Sequence, residues 1–228
     1  SDEVQPILRQ IAPQARLFVR WDNVPDYAAF CALSGLPRLA GTRVDTIPAP
    51  IPYLRADPAR ISRWADRLSG LVPGGYRRVG VIWAGRPTHN NDRNRSVLLA
   101  DFMPLANVAG IALLALQKGP RTGQAGEYYG RAPLINIGAE IDDYDDTMAI
   151  LENLDLLVTV DTSVAHLAGA MGRQVWVMLP RAPDWRWLLG TSETSWYPTM
   201  RLFRQQNARQ WQDVVKAIAD ELAGNARS

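Results

Sequence analysis

The sequence of 228 residues is 47% hydrophobic and 21% charged, the balance of a soluble globular protein with one large domain or two small ones. Its formal net charge of +2 is too small to predict a nucleic-acid partner, and one cysteine and two histidines argue against a disulfide or a Cys/His metal centre within this chain. No apolar run reaches the roughly 18 residues of a membrane span, and the N-terminus shows no signal-peptide pattern, so we expect a cytoplasmic protein without a transmembrane segment.

The first 73 residues are predicted to be the irregular part of the chain. Their hydrophobic pattern predicts a helix, a strand and a second short helix, over Pro6 to Ala12, Ala15 to Arg20 and Tyr27 to Leu33. The prolines between Pro48 and Pro58 favour extended, linker-like structure. An amphipathic helix then follows over Pro58 to Leu71, and we place a domain boundary near residue 73.

From Arg78 onward, short apolar strands alternate with helices. The predicted strands are Val79 to Trp83, Ile111 to Leu116, Leu134 to Ile137, Leu156 to Val160, Val175 to Leu179 and Met200 to Phe203. The predicted helices are Ala100 to Val108, Asp145 to Asn153, Val164 to Met171 and Gln210 to Leu222. This order predicts an α/β fold with a Rossmann-like parallel sheet of about six strands and helices on both faces.

The most informative site prediction is the turn D-T-S at residues 161–163. It joins a buried strand to a helix that Gly172 ends, so it lies at the carboxyl end of a strand, where open α/β sheets bind ligands. The unpaired N–H groups of residues 163–165 and the helix dipole favour a phosphate there, with His166 one turn further on. The alternative is a simple helix cap and a structural histidine.

Other polar segments follow strands and are predicted to lie on the same edge of the sheet. The loop 84–96 contains a glycine that allows close backbone approach and several donors: Gly85, His89, Arg93 and Arg95. Two further segments offer groups for a nucleotide or a sugar: Gln117, Lys118, Asp184 and Trp185. A solvated loop, a surface lysine and a core tryptophan are the alternatives. No G-x-G-x-x-G, Walker A or G-x-S-x-G motif is present, so the pattern favours a site for a diphosphate and a sugar.

Several motifs in this order resemble glycosyltransferase family 9, the heptosyltransferase-like family of GT-B fold. They are V-G-V-I-W-A-G at 79–85, N-D-R-N-R-S at 91–96, L-Q-K-G at 116–119 and D-T-S-V-A-H-L-A-G-A at 161–170. The segments P-D-W-R-W-L at 183–188 and W-Y-P-T-M-R-L-F-R-Q at 196–205 resemble the branch of bacterial proteins in which this unit follows tetratricopeptide repeats.

The resemblance implies two Rossmann-like domains with the active site between them. Residues 74–228 correspond to the nucleotide-sugar-binding domain, and residues 1–73 to a remnant of the acceptor-side N-terminal domain with its linker. The donor diphosphate is expected at Asp161, Thr162, Ser163, Val164, Ala165 and His166. The resemblance further places Gln117 and Lys118 near the nucleotide and turns the loop with Arg93 and Arg95 towards the interdomain cleft. Such transferases usually need no metal or cofactor, because helix dipoles and basic side chains offset the charge of the leaving diphosphate.

The first functional hypothesis is therefore the donor-binding part of an inverting, metal-independent glycosyltransferase. Its acceptor is unknown and is a glycan, a lipid-linked saccharide or a protein. In related enzymes the candidate base lies in a part of the N-terminal domain that this sequence does not match, so activity is expected only if the full-length chain supplies it. A non-catalytic nucleotide or nucleotide-sugar binding module is the alternative, and a GT-B-like epimerase is a third. We also expect self-association through apolar residues such as Leu17 and Val19.

Overall fold

The computed structural model describes residues 2–20, 24–48 and 50–225. Within this part of the chain lies a six-stranded, fully parallel sheet with the spatial order β3-β2-β1-β4-β5-β6. The strands are β1 (Arg77–Ile82), β2 (Ile111–Ala115), β3 (Leu134–Asn136), β4 (Leu156–Val160), β5 (Val175–Leu179) and β6 (Met200–Arg204). This arrangement confirms the predicted Rossmann-like α/β fold.

The strand order places the functional edge of the sheet. The chain proceeds from β1 outward to β2 and β3, then returns to the other side of β1 and proceeds through β4 to β6. The direction of winding therefore reverses between β1 and β4. The loops that follow these two strands leave the sheet towards opposite faces. A crevice at such a reversal is where open α/β sheets bind ligands.

Helices cover both faces of the sheet and complete two hydrophobic cores. The α-helices are α1 (Gln5–Ile11), α2 (Leu36–Leu39), α3 (Pro58–Ser69), α4 (Asp92–Arg95), α5 (Tyr144–Glu152), α6 (Ser163–Ala170) and α7 (Gln212–Asn225). Leu157 of β4 enters the core that contains Leu167 of α6, whereas its neighbour Val158 enters the opposite core with Phe102 and Val215. Strands β2, β4 and β5 are buried at every position, which explains why their sequences are apolar apart from Thr159 in β4.

Helix α3 begins where Asp57 accepts hydrogen bonds from the backbone N–H groups of Ala59 and Arg60, and Pro58 occupies the first turn. Its buried residues Trp64 and Leu68 belong to the same core as α5 and α6. Although α3 precedes residue 73, its apolar face therefore packs with the sheet. Among the described residues, no helix has both the length and the apolar character that crossing a membrane requires.

Two elements predicted in the N-terminal part are wrong. Residues 15–20 contain no strand, and Phe18 and Val19 are exposed. An alternating pattern makes a strand only where a neighbouring strand accepts its hydrogen bonds, and the sheet offers none here. Residues 27–32 contain no helix, because no core covers an apolar face there. A 3₁₀ turn at Leu33–Gly35 and the short α2 follow instead.

The helix predicted for Ala100 to Val108 is also wrong. Two 3₁₀ turns, Leu99–Phe102 and Leu105–Asn107, stand in its place. Pro104 lies between them, has no N–H to donate and would push its ring against the preceding helical turn. The apolar spacing was correct, since Phe102 and Leu105 are fully buried against the sheet.

Candidate functional site

Two adjoining clefts open at the carboxyl ends of β1, β2 and β4. The larger has a volume of about 500 Å³ and the smaller about 250 Å³. Both are lined by Thr162 and Ser163, so the N-terminus of α6 forms the wall between them. The larger cleft also contains Gly85, Gln117, Lys118 and Val164, and the smaller contains His89, Arg95, Asp161, His166 and Asp184. The fold thus brings most of the predicted site residues to one place.

The N-terminus of α6 has no side-chain cap. Thr162 is the N-cap residue, but its hydroxyl lies 3.2 Å from that of Thr159 and accepts no hydrogen bond from the first turn. The Ser163 hydroxyl accepts a 3.0 Å hydrogen bond from the Tyr144 hydroxyl. The first N–H groups of the helix are therefore left to a ligand or solvent, at the end of the helix dipole that attracts anions.

A network of polar side chains packs against this turn. His166 Nδ1 lies 3.2 Å from the Tyr197 hydroxyl, and its Nε2 lies 3.7 Å from Asp161 Oδ1. The imidazole stacks on the buried Trp187 with ring centroids 5.0 Å apart. His166 is thereby held in one orientation, with 29% of its side chain exposed to the smaller cleft.

In this group of side chains, the pKa values of Asp161 and Tyr197 depart from their usual range. Burial raises the pKa of the Asp161 carboxyl, but the side chains of His166 and Trp187 and the charge of Arg95 lower it by more, which favours the carboxylate. Burial, together with the neighbouring Tyr53, raises the pKa of the Tyr197 hydroxyl, which therefore keeps its proton. Asp161 thus brings a negative charge and Tyr197 a neutral donor to the base of the turn.

Gln117 and Lys118 differ in what they offer the larger cleft. The Gln117 Oε1 accepts hydrogen bonds from the backbone N–H groups of Trp83 and Ala84, and its Nε2 donates to the carbonyls of Ala84 and Lys118. Gln117 is buried, and these bonds fasten the end of β1 to the end of β2. The Lys118 ammonium donates to the carbonyl of Ile141 and lines the cleft beside it.

The loop after β1 contributes through Gly85, His89 and Arg95. A Cβ atom on Gly85 would lie between 2.4 and 2.8 Å from guanidinium atoms of Arg95, so the arginine lies directly on the glycine backbone. His89 lines the smaller cleft, where its Nδ1 accepts a hydrogen bond from the Asn91 backbone. Arg93 is exposed and lines neither cleft.

The loop after β5 contributes Asp184 to the smaller cleft. Its Oδ1 accepts a 3.0 Å hydrogen bond from the Arg186 backbone N–H and lies 3.3 Å from the Arg186 Nε. Trp185 is 61% exposed and lines neither cleft, whereas Trp187 is in the core beneath His166. Ala165 is fully buried and lines neither cleft, and its backbone N–H, predicted to be unpaired, donates a 3.1 Å hydrogen bond to the Thr162 carbonyl.

Sequence reasoning did not find Tyr144, Arg186, Tyr197 and the buried Asp92, which all support the site. Tyr197 lies 31 residues after His166 and Tyr144 lies 19 residues before Ser163, so no local pattern connects them. Asp92 and Arg95 are three residues apart on α4, and that spacing was the one available signal.

Two further observations bound the site. A depression of about 910 Å³ lies at the opposite edge of the sheet, lined by Arg77 at the start of β1 and Met200 at the start of β6. It contains none of the predicted site residues. Among the residues that the structure describes, no group of three or more His, Cys, Asp or Glu side chains is placed to hold a metal ion.

Comparisons of the sequence with known proteins find a longer relative. No family model matches the chain. Protein FlbA of Caulobacter vibrioides is 28% identical over 230 residues, which cover 96% of this chain and 37% of that protein. The chain therefore spans less than two fifths of this curated relative.

Two solved structures share the fold. The ADP-heptose lps heptosyltransferase II of E. coli superimposes with a TM-score of 0.55 at 13% identity, over 81% of this chain and 57% of that one. A glycosyl transferase family 9 structure from Veillonella parvula gives a TM-score of 0.51 at 10% identity, over 79% of this chain and 49% of that one. At these identities the likeness shows a common fold, and this chain spans about half of each structure.

Proposed function

We propose that this chain, which has the fold of the heptosyltransferase-like GT-B glycosyltransferases, is the donor-binding part of a glycosyltransferase that uses a nucleotide-diphosphate sugar. One observation carries the proposal: the uncapped N-terminus of α6 lies between two clefts of unequal size at the carboxyl edge of the sheet. In a nucleotide-diphosphate sugar the diphosphate likewise lies between two larger groups, the nucleoside and the sugar. The fold of the solved neighbours supports the assignment.

The larger cleft is assigned to the nucleoside. Its volume of about 500 Å³ lies within the range of small-molecule sites, and Ile82, Leu116 and Val164 supply apolar wall for a base. Lys118 stands on the same wall and is bound to the carbonyl of Ile141, so its ammonium is held near the expected phosphates. Gln117 shapes this cleft through its backbone bonds.

The diphosphate is assigned to the first turn of α6. The backbone N–H groups of Ser163 and Val164 and the hydroxyls of Thr162 and Ser163 are its expected donors. As the sugar leaves, charge develops on the diphosphate, and the helix dipole with Lys118 stabilises that charge without a metal ion. His166 lies beside the same turn and is expected to add a smaller contribution.

The smaller cleft is assigned to the sugar, and its charges favour a neutral one. Arg186 is paired with Asp184, and Arg95 lies 3.7 Å from Asp92. Both arginines thus already have a carboxylate partner, and Asp161 adds a further negative charge. Carboxylates and guanidinium groups bind hydroxyls well, whereas the carboxylate of an acidic sugar would meet repulsion here.

The acceptor side belongs to the second domain of the GT-B fold. We expect the base that deprotonates the acceptor hydroxyl to come from that domain, and the acceptor to be a glycan, a lipid-linked saccharide or a protein. A cytoplasmic location and a fusion to tetratricopeptide repeats remain expectations of the same proposal. Because the chain spans about half of each solved neighbour, binding without turnover is the second candidate function for this chain alone. Release of free nucleoside diphosphate from a donor in the presence of acceptor distinguishes transfer from mere binding.

Calorimetric titration with UDP, ADP and GDP tests the proposal, using the parent protein and Ser163→Asp. Two like unit charges 4 Å apart repel by about 4 kcal/mol at an effective dielectric of about 20, so we expect the variant to lose at least about tenfold in affinity. Its melting temperature is expected to hold or rise, since an acidic residue in the first turn stabilises a helix by about 0.3–1 kcal/mol.

Ser195→Asp is the matched control, because this exposed serine lines the depression at the opposite edge of the sheet. It adds the same charge and is expected to leave affinity unchanged. Equal binding by Ser163→Asp and the parent would place the phosphates elsewhere and reduce the D-T-S turn to a helix cap. Absence of binding for all three nucleotides would overturn the proposed function.

A further inference from the structure

We propose that Arg95 is a positioning residue that holds the N-terminus of α6 at a fixed place relative to the loop after β1. Resemblance and cleft lining suggest an arginine that binds the ligand itself. Its contacts point instead to a brace between two loops of the site. The purpose of this positioning rests on the proposed function, because Arg95 would orient the N–H groups that are assigned to the donor diphosphate.

The first contact connects Arg95 to the turn. Its Nη1 donates a 2.9 Å hydrogen bond to the backbone carbonyl of Asp161, the residue directly before the N-cap Thr162. This carbonyl lies just beyond the end of β4. A fixed Asp161 carbonyl therefore fixes the peptide from which the first turn of α6 starts, and with it the direction of the N–H groups of that turn.

The second contact connects Arg95 to the loop after β1. A Cβ on Gly85 would lie 2.4 Å from Nη2, 2.7 Å from Cζ and 2.8 Å from Nε of Arg95. The guanidinium therefore occupies the space in which a Cβ of residue 85 would lie, so any larger residue there would displace it. The backbone N–H of Gly85 donates a 3.1 Å hydrogen bond to the Ser96 hydroxyl, which keeps this segment in place.

Asp92 closes the network and holds Arg95 in this position. Its Oδ1 accepts a 2.7 Å hydrogen bond from the Ser96 hydroxyl and lies 3.7 Å from Arg95 Nε, and its Oδ2 lies 3.3 Å from Arg121 Nη2. Asp92 is 5% exposed, so its charge is poorly screened by water. A lysine could not replace this arginine, because a single ammonium cannot meet Asp161, Asp92 and Gly85 at once.

Two kinds of variant separate positioning from direct binding. Arg95→Lys keeps the charge but loses the planar fork, and Gly85→Ala keeps the arginine but displaces its guanidinium. A ligand-binding arginine would also lose affinity in both variants, but the amides of residues 160–165 would then keep their exchange rates, because their positions would not depend on Arg95. Either change alone removes the positioning contacts of Arg95. The double variant, Gly85→Ala with Arg95→Lys, should therefore lose no more affinity than the more damaging single variant.

The experiment compares affinities for nucleoside diphosphates and monophosphates, namely UDP and UMP, ADP and AMP, and GDP and GMP. Since the loss of a hydrogen bond to a charged oxygen costs about tenfold or more in affinity, we expect Arg95→Lys and Gly85→Ala to lower the ratio of diphosphate to monophosphate affinity by about tenfold. Hydrogen exchange of the amides in residues 160–165 should become faster in both variants. Arg131→Lys, an exposed arginine of the same domain, is the control and should change neither quantity.

The outcomes separate this inference from the proposed function. An unchanged affinity ratio in Gly85→Ala, or a parallel loss of both affinities with the melting temperature, would show that Arg95 does not position the phosphate site. If the parent binds none of the six nucleotides, the proposed function is wrong, and hydrogen exchange still decides whether Arg95 holds the turn. Unchanged exchange in residues 160–165 would reject the brace itself.

Discussion

Gly169 lies in the middle of α6, where alanine is ordinarily the better residue by about 1 kcal/mol. A Cβ at this position would lie 2.5 Å from Cγ of Tyr197 and 2.4 Å from Cε of Met200. The methionine end can rotate away, but the tyrosine ring is partly buried against the same core and its hydroxyl contacts His166. Glycine therefore lets the helix approach the ring that helps to orient the histidine.

We expect Gly169→Ala to lower the free energy of unfolding by about 1–3 kcal/mol, because overpacking outweighs the gain in helix propensity. It should also move Tyr197 away from His166. Urea unfolding measures the first effect. Gly224→Ala in α7 is the control, since no atom lies within 4 Å of its Cβ position, and it should be neutral or stabilise by up to about 1 kcal/mol. A Gly169→Ala protein as stable as the parent would contradict the packing argument.

At the scale of elements, Asp146 joins α3 to α5. Its buried carboxylate accepts hydrogen bonds from Arg60, Arg63 and Trp64 of α3, the first at 2.9 Å and the last at 3.2 Å. Its other oxygen accepts one from the backbone N–H of Asp142 at 3.2 Å. This network seats α3 against the core, and Asp146 lies on the same helix as Tyr144 and Thr147, which line the larger cleft.

We expect Asp146→Asn to destabilise the protein by about 2 kcal/mol at neutral pH, because it removes hydrogen bonds to a charged group in a buried place. Asp145→Asn is a matched control. Burial and the charge of Asp143 raise the pKa of Asp145, so its carboxylate is disfavoured and its loss should change stability by less than about 0.5 kcal/mol. Urea unfolding of both variants at pH 7 decides the comparison, and equal stability would refute the role of Asp146.

The Asp146 network also predicts a pH dependence. Burial raises the pKa of Asp146, but the Trp64 and Asp142 hydrogen bonds and the charges of Arg63 and Arg60 lower it by more, so that it falls below the usual 3.8. As the pH falls, the unfolded chain therefore binds the proton first. The stabilisation is present above about pH 4 and is lost as the pH falls through the lowered pKa. The stabilities of the parent and Asp146→Asn should accordingly converge as the pH falls below about 4, and a constant difference would contradict the assignment.

At the scale of the whole molecule, most exposed large hydrophobic side chains of the described residues precede residue 58. The expected strand edge at Leu17 and Val19 is absent, so edge pairing no longer supports self-association. Exposed apolar surface still supports self-association, because Leu33 and Leu39 are exposed by 81% and 72%. Light scattering at rising protein concentration should show species larger than a monomer.

Leu33, Leu36 and Leu39 offer a direct test, because all three are exposed and their replacement by serine should barely change stability. The triple variant is expected to remain monomeric at concentrations at which the parent associates. The control replaces three exposed apolar residues of the sheet domain, Leu98, Tyr129 and Leu189, by serine and should associate like the parent. A parent that stays monomeric throughout would disprove the prediction.

Local patterns in the sequence determined the sheet domain. Strands β4 and β5 begin and end at the predicted residues, and α6 begins one residue before the prediction. The reason is local: a largely apolar run of five residues, a short polar turn and a glycine with positive φ at Gly172 each act within one element. The D-T-S turn was found for the same reason, since its position after a strand and before a helix is a property of adjacent residues.

Only the tertiary structure decided what the side chains of the site do. Gln117 fastens two strand ends, Arg95 meets the carbonyl of Asp161 across 66 positions of sequence, and Tyr197 meets His166 across 31. Such partners are set by the order of strands in the sheet, which brings the ends of β1, β2 and β4 together, and no periodicity in the sequence encodes that distance. The sequence by itself determined the elements and the edge at which their polar residues gather, because these follow from local periodicity and chain direction. Which residues face the clefts and which hold the others in place depended on contacts between distant segments.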